Sequence, residues 1–190
     1  MTLSCPSGQI LQNTSGVVAM WTATDGESGV AGNDSGEIAL DTSQVGVWTA
    51  TLGSVRVRDR VGNESAEASC TDTVIDDWSG FFQPVDNPNV SNVVKAGSAV
   101  PVKFSLAGFQ GMDILSGTPK VVLVPCTNGA SDPIDEFAST AGNSSLQYDP
   151  VTDQYIYVWK TDRNWAGKCA KLVVTLKDGT SHEAWFRFTK

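Results

Sequence analysis

Residues 172–188 read Leu172-Val173-Val174-Thr175-Leu176-Lys177-Asp178-Gly179-Thr180-Ser181-His182-Glu183-Ala184-Trp185-Phe186-Arg187-Phe188. Leu172, Val174 and Leu176 alternate with Lys171, Val173 and Thr175, the period-two pattern of a strand that buries one face. Asp178-Gly179 supplies residues that tolerate positive φ where a tight hairpin turn needs them. The return segment alternates too, with His182, Ala184 and Phe186 on one face and Glu183, Trp185 and Arg187 on the other. The stretch is a β-hairpin. Upstream, Leu146 to Tyr148, the turn Asp149-Pro150-Val151-Thr152-Asp153 and Tyr155 to Lys160 form another. Tyr155, Tyr157 and Trp159 share one face of its return strand and Ile156 and Val158 the other, which predicts a central strand. Val100, Val102, Phe104 and Leu106 alternate with Pro101, Lys103 and Ser105, and a proline there marks an edge or a strand start. Lys120 to Val124 is a short apolar run.

The N-terminal part is built the same way. Val18 to Thr24, Gly46 to Leu52 and Val55 to Asp59 are rich in residues that suit a pleated, half-buried surface. In the last of these, Val55 and Val57 alternate with Arg56 and Arg58. Turn clusters at Asp25-Gly26-Glu27-Ser28-Gly29, Gly32-Asn33-Asp34-Ser35-Gly36 and Val61-Gly62-Asn63 separate them. Short strands at this spacing point to sandwiches, and no amphipathic helix of three turns is visible. The expected fold is all-β: two tandem antiparallel β-sandwich, Ig-like domains.

Charge places the boundary. Residues 1–77 hold 3 basic and 11 acidic residues, while residues 78–190 hold 10 of each. The chain's net charge of −8 therefore sits entirely in the first part, which has no lysine. The expected domains are 1–77 and 78–190, with Trp78, Phe81 and Phe82 packed in a stiff joint between them. A net anion of pI near 4.5 is repelled by nucleic acid and by an anionic membrane surface. No stretch reaches the roughly 18 apolar residues of a spanning helix. The single histidine makes a poor start for zinc sites and hydrolytic triads.

Four cysteines allow three pairings. Cys5 and Cys70 bracket the first part, and Cys126 and Cys169 both lie in the second. First and last strands of a sandwich are often neighbours, so Cys5–Cys70 would tie the ends of the first domain, and Cys126–Cys169 would link two strands of the second. No Cys-x-x-Cys pair suggests a metal site instead. Disulfides belong to oxidising compartments, yet Met1 to Gln9 has neither a basic nor an apolar leader region. The reading that reconciles the two is a piece of a longer exported protein, at the cell surface or outside the cell, with a virion component as the alternative.

The second part resembles the PxKF domain found at the C-termini of secreted multi-domain bacterial proteins, notably actinobacterial ones. The resemblance rests on Ser79-Gly80-Phe81-Phe82-Gln83-Pro84-Val85-Asp86, Val94 to Leu106, Gly111-Met112-Asp113-Ile114-Leu115, Tyr155 to Asp162, Trp165-Ala166-Gly167-Lys168-Cys169 and the Asp178-Gly179-Thr180 hairpin ending in Phe186-Arg187-Phe188. The first part is similar to the bacterial Ig-like repeats that often precede it, through Cys5-Pro6, Thr22-Ala23-Thr24-Asp25, Ser28-Gly29-Val30-Ala31-Gly32, Asp59-Arg60-Val61-Gly62-Asn63 and Ala68-Ser69-Cys70. The resemblance implies export, β-sandwich folds and both disulfides, and it implies no catalytic residues.

Candidate sites are few. Asp25, Asp59 and Asn63 sit in Gly-containing turns that could together offer calcium some of the six to eight oxygens it takes, although such residues commonly bond their own backbone. Asp132, Asp135 and Glu136 are a weaker acidic cluster. Trp21, Trp48 and Trp159 read as core. Trp165, in a loop beside Cys169, and Trp185, beside Glu183 and Arg187, are the candidate rings for stacking a sugar. His182 reads as structural, and Lys103 as a snorkelling or ion-paired side chain. Some pair among the 21 carboxylates will always meet the roughly 5–9.5 Å spacing of glycoside hydrolysis, so none is singled out. The expectation is a non-enzyme without a cofactor, calcium apart: an extracellular spacer, cap or interaction module. The alternatives are a module that binds carbohydrate or cell wall through exposed tryptophan and a virion fibre or decoration protein. A surface polysaccharide or a protein is the expected partner.

Overall fold

A computed structural model of the chain describes residues 1–51, 56–126, 134–137 and 146–190, with the backbone alone for residues 51 and 134–137. The chain divides into two compact units, Met1–Asp76 and Asp77–Lys190. Both are all-β, and the described residues hold one short 3-10 turn, Arg163–Trp165.

The first unit contains β1 (Thr2–Ser4), β2 (Gln9–Leu11), β3 (Val18–Thr22), β4 (Val30–Ala31), β5 (Ser35–Ala39), β6 (Gly46–Thr51), β7 (Arg58–Asp59) and β8 (Ser69–Ile75). They form the sheets β1-β3-β5 and β2-β8-β6 and the small ribbon β4-β7. The segment Ser35-Gly36, expected in a turn, instead lies in β5, paired with Thr22 and Trp21. The reason lies in its partner strand. The Trp21 indole lies over Gly36, where a Cβ would come within 2.6 Å of its Nε1. The expected strand Val55–Asp59 is short for a different reason. Val57 is buried in the core and Arg56 and Arg58 face outward as the alternation requires, but among the described residues only Arg58–Asp59 finds a ladder, on β4. Val55 lies outside the described residues.

The second unit contains β9 (Phe81–Phe82), β10 (Ser91–Lys95), β11 (Ala99–Phe104), β12 (Lys120–Val124), β13 (Ile134–Phe137), β14 (Gln147–Asp149), β15 (Gln154–Lys160), β16 (Cys169–Thr175) and β17 (Ser181–Thr189). A five-stranded sheet, β10-β17-β16-β12-β13, and a four-stranded sheet, β14-β15-β11-β9, bury one large core. Val100, Val102 and Phe104 face Tyr155, Tyr157, Trp159, Leu172, Val174, Phe186 and Phe188 within it. Both expected hairpins form, in the registers Tyr148↔Tyr155 and Val174↔His182. β15 is central, between β14 and β11. Pro101 pairs with Val158, while β9 reaches only Lys103 and Phe104. The proline thus sits where its strand has a single neighbour, as a residue without an N–H requires.

One expectation is corrected. The sandwiches are not purely antiparallel: in each unit an early strand lies parallel to the last one, β2 with β8 and β10 with β17. Within the second unit, Trp78 and Phe81 pack on its core. Phe81 is buried in its core, and Trp78 stacks on Phe104 at 4.8 Å and meets Phe81 edge-on at 5.1 Å.

The cysteines pair as Cys5–Cys70 and Cys126–Cys169, with Cα atoms 5.7 and 5.1 Å apart. The two bridges differ in what they join. Cys5 follows β1 and Cys70 lies in β8, so the first ties one sheet to the other. Cys126 follows β12 and Cys169 opens β16, its neighbour, so the second staples adjacent strands of one sheet.

Candidate functional site

Alternation along β17 sends Ala184, Phe186 and Phe188 into the core and Glu183, Trp185 and Arg187 outward. Across the five-stranded sheet, Trp185 stands opposite Ser91 on β10 and Lys171 on β16. It is 37% exposed. The Lys171 ammonium sits 4.9 Å from the centre of its ring and is held at 2.9 Å by the Glu183 carboxylate, a cation–π contact at a partly desolvated position. Asn92, buried at the edge of the same sheet, donates from Nδ2 to the Trp185 carbonyl at 2.9 Å, while its Oδ1 accepts from the Asp86 N–H at 2.8 Å. These bonds fix the backbone that carries the ring. Trp185 is thus the sequence candidate that keeps a ring at the surface.

Trp165 does not. It is 6% exposed, packed 5.9 Å from Trp159 and 5.4 Å from Phe188. The 3-10 turn Arg163–Trp165, capped by the Asp162 carboxylate on the Asn164 N–H at 2.7 Å, swings the ring inward and leaves it no free face for a sugar.

Asp25, Asp59 and Asn63 do come together, around a hollow of about 250 Å³ in the first unit that Arg58 and Glu64 also line. The carboxylate oxygens of Asp25 and Asp59 already accept hydrogen bonds from their own turns. Asp25 accepts from the Ser28 hydroxyl at 2.7 Å and the Glu27 N–H at 3.1 Å, which hold its carboxyl below the usual range. Asp59 is pushed up by desolvation, but the Asn63 amide and the N–H groups of Asn63 and Val61 outweigh it and hold this carboxyl low as well. Glu64 is paired with Arg58 and Arg56. Among the described residues no three acidic, histidine or cysteine side chains form a group that could hold a metal. Asp25 and Asp59 thus each bond within their own turn, and Asn63 donates to Asp59. Asp132 and the side chains of Asp135 and Glu136 lie outside the described residues.

His182 points inward. Its ring is stacked on Trp78, 3.7 Å between centroids and within 1° of parallel. Its Nε2 lies 3.0 Å from the Thr180 hydroxyl, which donates its own proton to Asp178 at 2.7 Å. Burial pushes the imidazole pKa down, against the pull of Asp178. An unfolded histidine takes up a proton near pH 6.5, whereas the folded ring resists. The second unit is therefore expected to be most stable above that pH and to lose stability as the pH falls through it towards the lower folded value. Urea unfolding at about pH 7.5 and about pH 5.5 reads this directly. A His182→Gln chain that keeps the same loss would refute the assignment.

Sequence reasoning missed a second exposed aromatic group. Phe109 is 57% exposed in the loop after β11 and leans on Tyr148 at 4.9 Å. Tyr148 donates to Asp153 at 2.7 Å, which raises its pKa to about 12. Nothing in the alternation of the flanking strands could place this loop against that hairpin.

No family model matches the chain, and no curated protein matches it in sequence. Among solved structures, a Bacteroides ovatus protein, SGBP-B of the mixed-linkage glucan utilization locus in complex with mixed-linkage heptasaccharide, aligns with 86% of this chain and 34% of its own. The identity is 12% and the TM-score 0.29. The chain spans about a third of that protein, and a likeness this low carries neither fold nor function across. No helix among the described residues is long and apolar enough to cross a membrane.

Proposed function

We propose that the chain is a non-catalytic, exported pair of β-sandwiches that serves as a structural and interaction module of a surface or secreted protein. The observation that carries this reading is one disulfide in each unit, with no cysteine left free among the described residues. Disulfides persist outside the reducing cytosol, and each of these joins strands of its own unit, as a module that must hold its shape alone requires. The single histidine supports a non-enzyme: its ring lies against Trp78 and its Nε2 is engaged by Thr180. A surface polysaccharide is the partner that the exposed Trp185 ring favours.

The test is the state of the thiols. Protein recovered from its native cells under denaturing conditions should take up no maleimide before reduction and four equivalents after it. Four reactive thiols before reduction would overturn the exported reading.

A further inference from the structure

The outward face of the five-stranded sheet concentrates positive charge that residues 78–190 as a whole balance. On the four strands whose side chains are described, it carries Lys95, Lys120, Lys171 and Arg187 and a single carboxylate, Glu183. Four cations less one anion give these four strands +3, within residues 78–190, whose 10 basic and 10 acidic residues balance. Trp185 stands within this basic field. Lys171 is directly across from it, at the roughly 5 Å of a cross-strand pair, and Arg187 is two residues along, roughly 7 Å away. Val93, 67% exposed, is the register partner of Arg187. Lys171 covers one side of the indole. The neighbour on the other strand is Ser91, too small to cover the rest.

We infer that this face binds a carboxylate-bearing polysaccharide, with a sugar ring stacked on Trp185 and its carboxylates paired to Lys171 and Arg187. The inference rests on the reading of the chain as an exported interaction module. Three features select this occupant. An indole offers a flat apolar surface to the C–H side of a pyranose. A guanidinium and an ammonium beside it match carboxylates, the guanidinium in bidentate fashion. The geometry disfavours an acidic peptide: β17 is hydrogen-bonded on both sides, by β10 and β16, so an added strand has no free backbone at Trp185 to pair with. Recognition there goes through side chains on a flat surface, which suits an extended polysaccharide. Glu183 now neutralises Lys171. A sugar carboxylate would take over that role as the ring docks. Asn92 supplies the rigidity, since its bonds to Trp185 and Asp86 hold β10, β17 and the approach to β10 in one register.

The test uses the oxidised, full 190-residue chain in native gels containing polygalacturonate, dextran or poly-L-glutamate, with calorimetry on the same polymers. Saturable retardation by polygalacturonate is expected, at least tenfold tighter than by dextran or poly-L-glutamate. Trp185→Ala should weaken it at least tenfold. Lys171→Gln combined with Arg187→Gln should weaken it to the level of dextran and remove its salt dependence. All three positions are at the surface, so unchanged melting of the variants separates lost binding from lost fold. Four results would each overturn the inference: no binding to polygalacturonate, binding that survives Trp185→Ala, equal binding to poly-L-glutamate (an acidic-protein surface), and equal binding to dextran (a neutral-sugar platform). None of them alters the state of the thiols, so failure here falls on the ligand and not on the module it is assigned to.

Discussion

Under reducing conditions that leave the solvent otherwise native, the first unit should unfold and the second should stay folded. The two bridges close comparable loops, 65 and 43 residues of sequence separation. In the chain-entropy model each is worth about 4 kcal/mol. What differs is the reserve beneath them. Among the described residues the first unit's core cluster has six buried apolar side chains, three of them alanine, whereas the second has twenty, with Phe104, Tyr155, Trp159, Phe186 and Phe188 among them. A fully buried large side chain contributes about 1.5–3 kcal/mol, and a folded domain rests on a margin of only about 5–15 kcal/mol. Position sharpens the contrast. Cys5–Cys70 joins the two sheets of a thin sandwich, while Cys126–Cys169 reinforces strands already paired by their own ladder. Hydrogen exchange with and without dithiothreitol should show amides of residues 1–76 losing protection while those of β11, β15, β16 and β17 keep it. Cys5→Ala with Cys70→Ala should reproduce the effect, and Cys126→Ala with Cys169→Ala should only lower the second unit's unfolding midpoint. Retained protection throughout, or loss in the second unit first, would contradict the argument.

The same asymmetry explains what could be read in advance. Where a large core sits behind a strand, alternation reports burial faithfully: Tyr155, Tyr157 and Trp159 are buried as their spacing said, and so are Leu172, Val174 and Leu176. Where the core is thin, local signals compete with long-range pairing. Ser35-Gly36 has the composition of a turn, yet it is a strand because Trp21 needs a neighbour without a side chain. The parallel pairings of β2 and β10 with the last strand of their units could not be seen, since they join segments far apart in sequence and leave no mark on either.

The face inferred to bind polysaccharide was half legible. Alternation placed Trp185 beside Glu183 and Arg187, and Lys171 on the outward side of β16. Register brings in the rest: Ser91 opposite Trp185, Lys171 over its ring and Val93 beside Arg187 come from strand order, which the sequence does not state. Trp165 misled for a related reason. Its polar neighbours Asp162, Arg163 and Asn164 read as an exposed loop, but they form a single 3-10 turn whose last residue drops into the core.

Trp159→Ala should remove about 3–5 kcal/mol from the second unit, the range for truncating a buried aromatic. The indole is 1% exposed. It meets the rings of Phe186 and Phe188 edge-on, at 5.0 and 6.0 Å, and that of Trp165 at 5.9 Å. Three aromatic partners from β16's flanking turn and from β17 cannot collapse together into the space left, because Phe186 and Phe188 are fixed by the ladder on both sides of β17. Trp159→Phe should cost much less. It keeps a ring in the same place and removes an indole Nε1 that is buried with no hydrogen-bond partner among the described residues; leaving such a donor unmade costs about 1–3 kcal/mol, which offsets part of the lost volume. Urea unfolding of the second unit separates the cases. A loss below about 1 kcal/mol for alanine, or a phenylalanine variant as unstable as the alanine one, would show that the packing here is looser than these contacts imply. The pair also tests the route to function, because Phe186 lies on β17 next to Trp185. If the ring on the outer face is held by the core beneath it, Trp159→Phe should retain polygalacturonate binding, and Trp159→Ala should lose it at urea concentrations where the unaltered chain still binds.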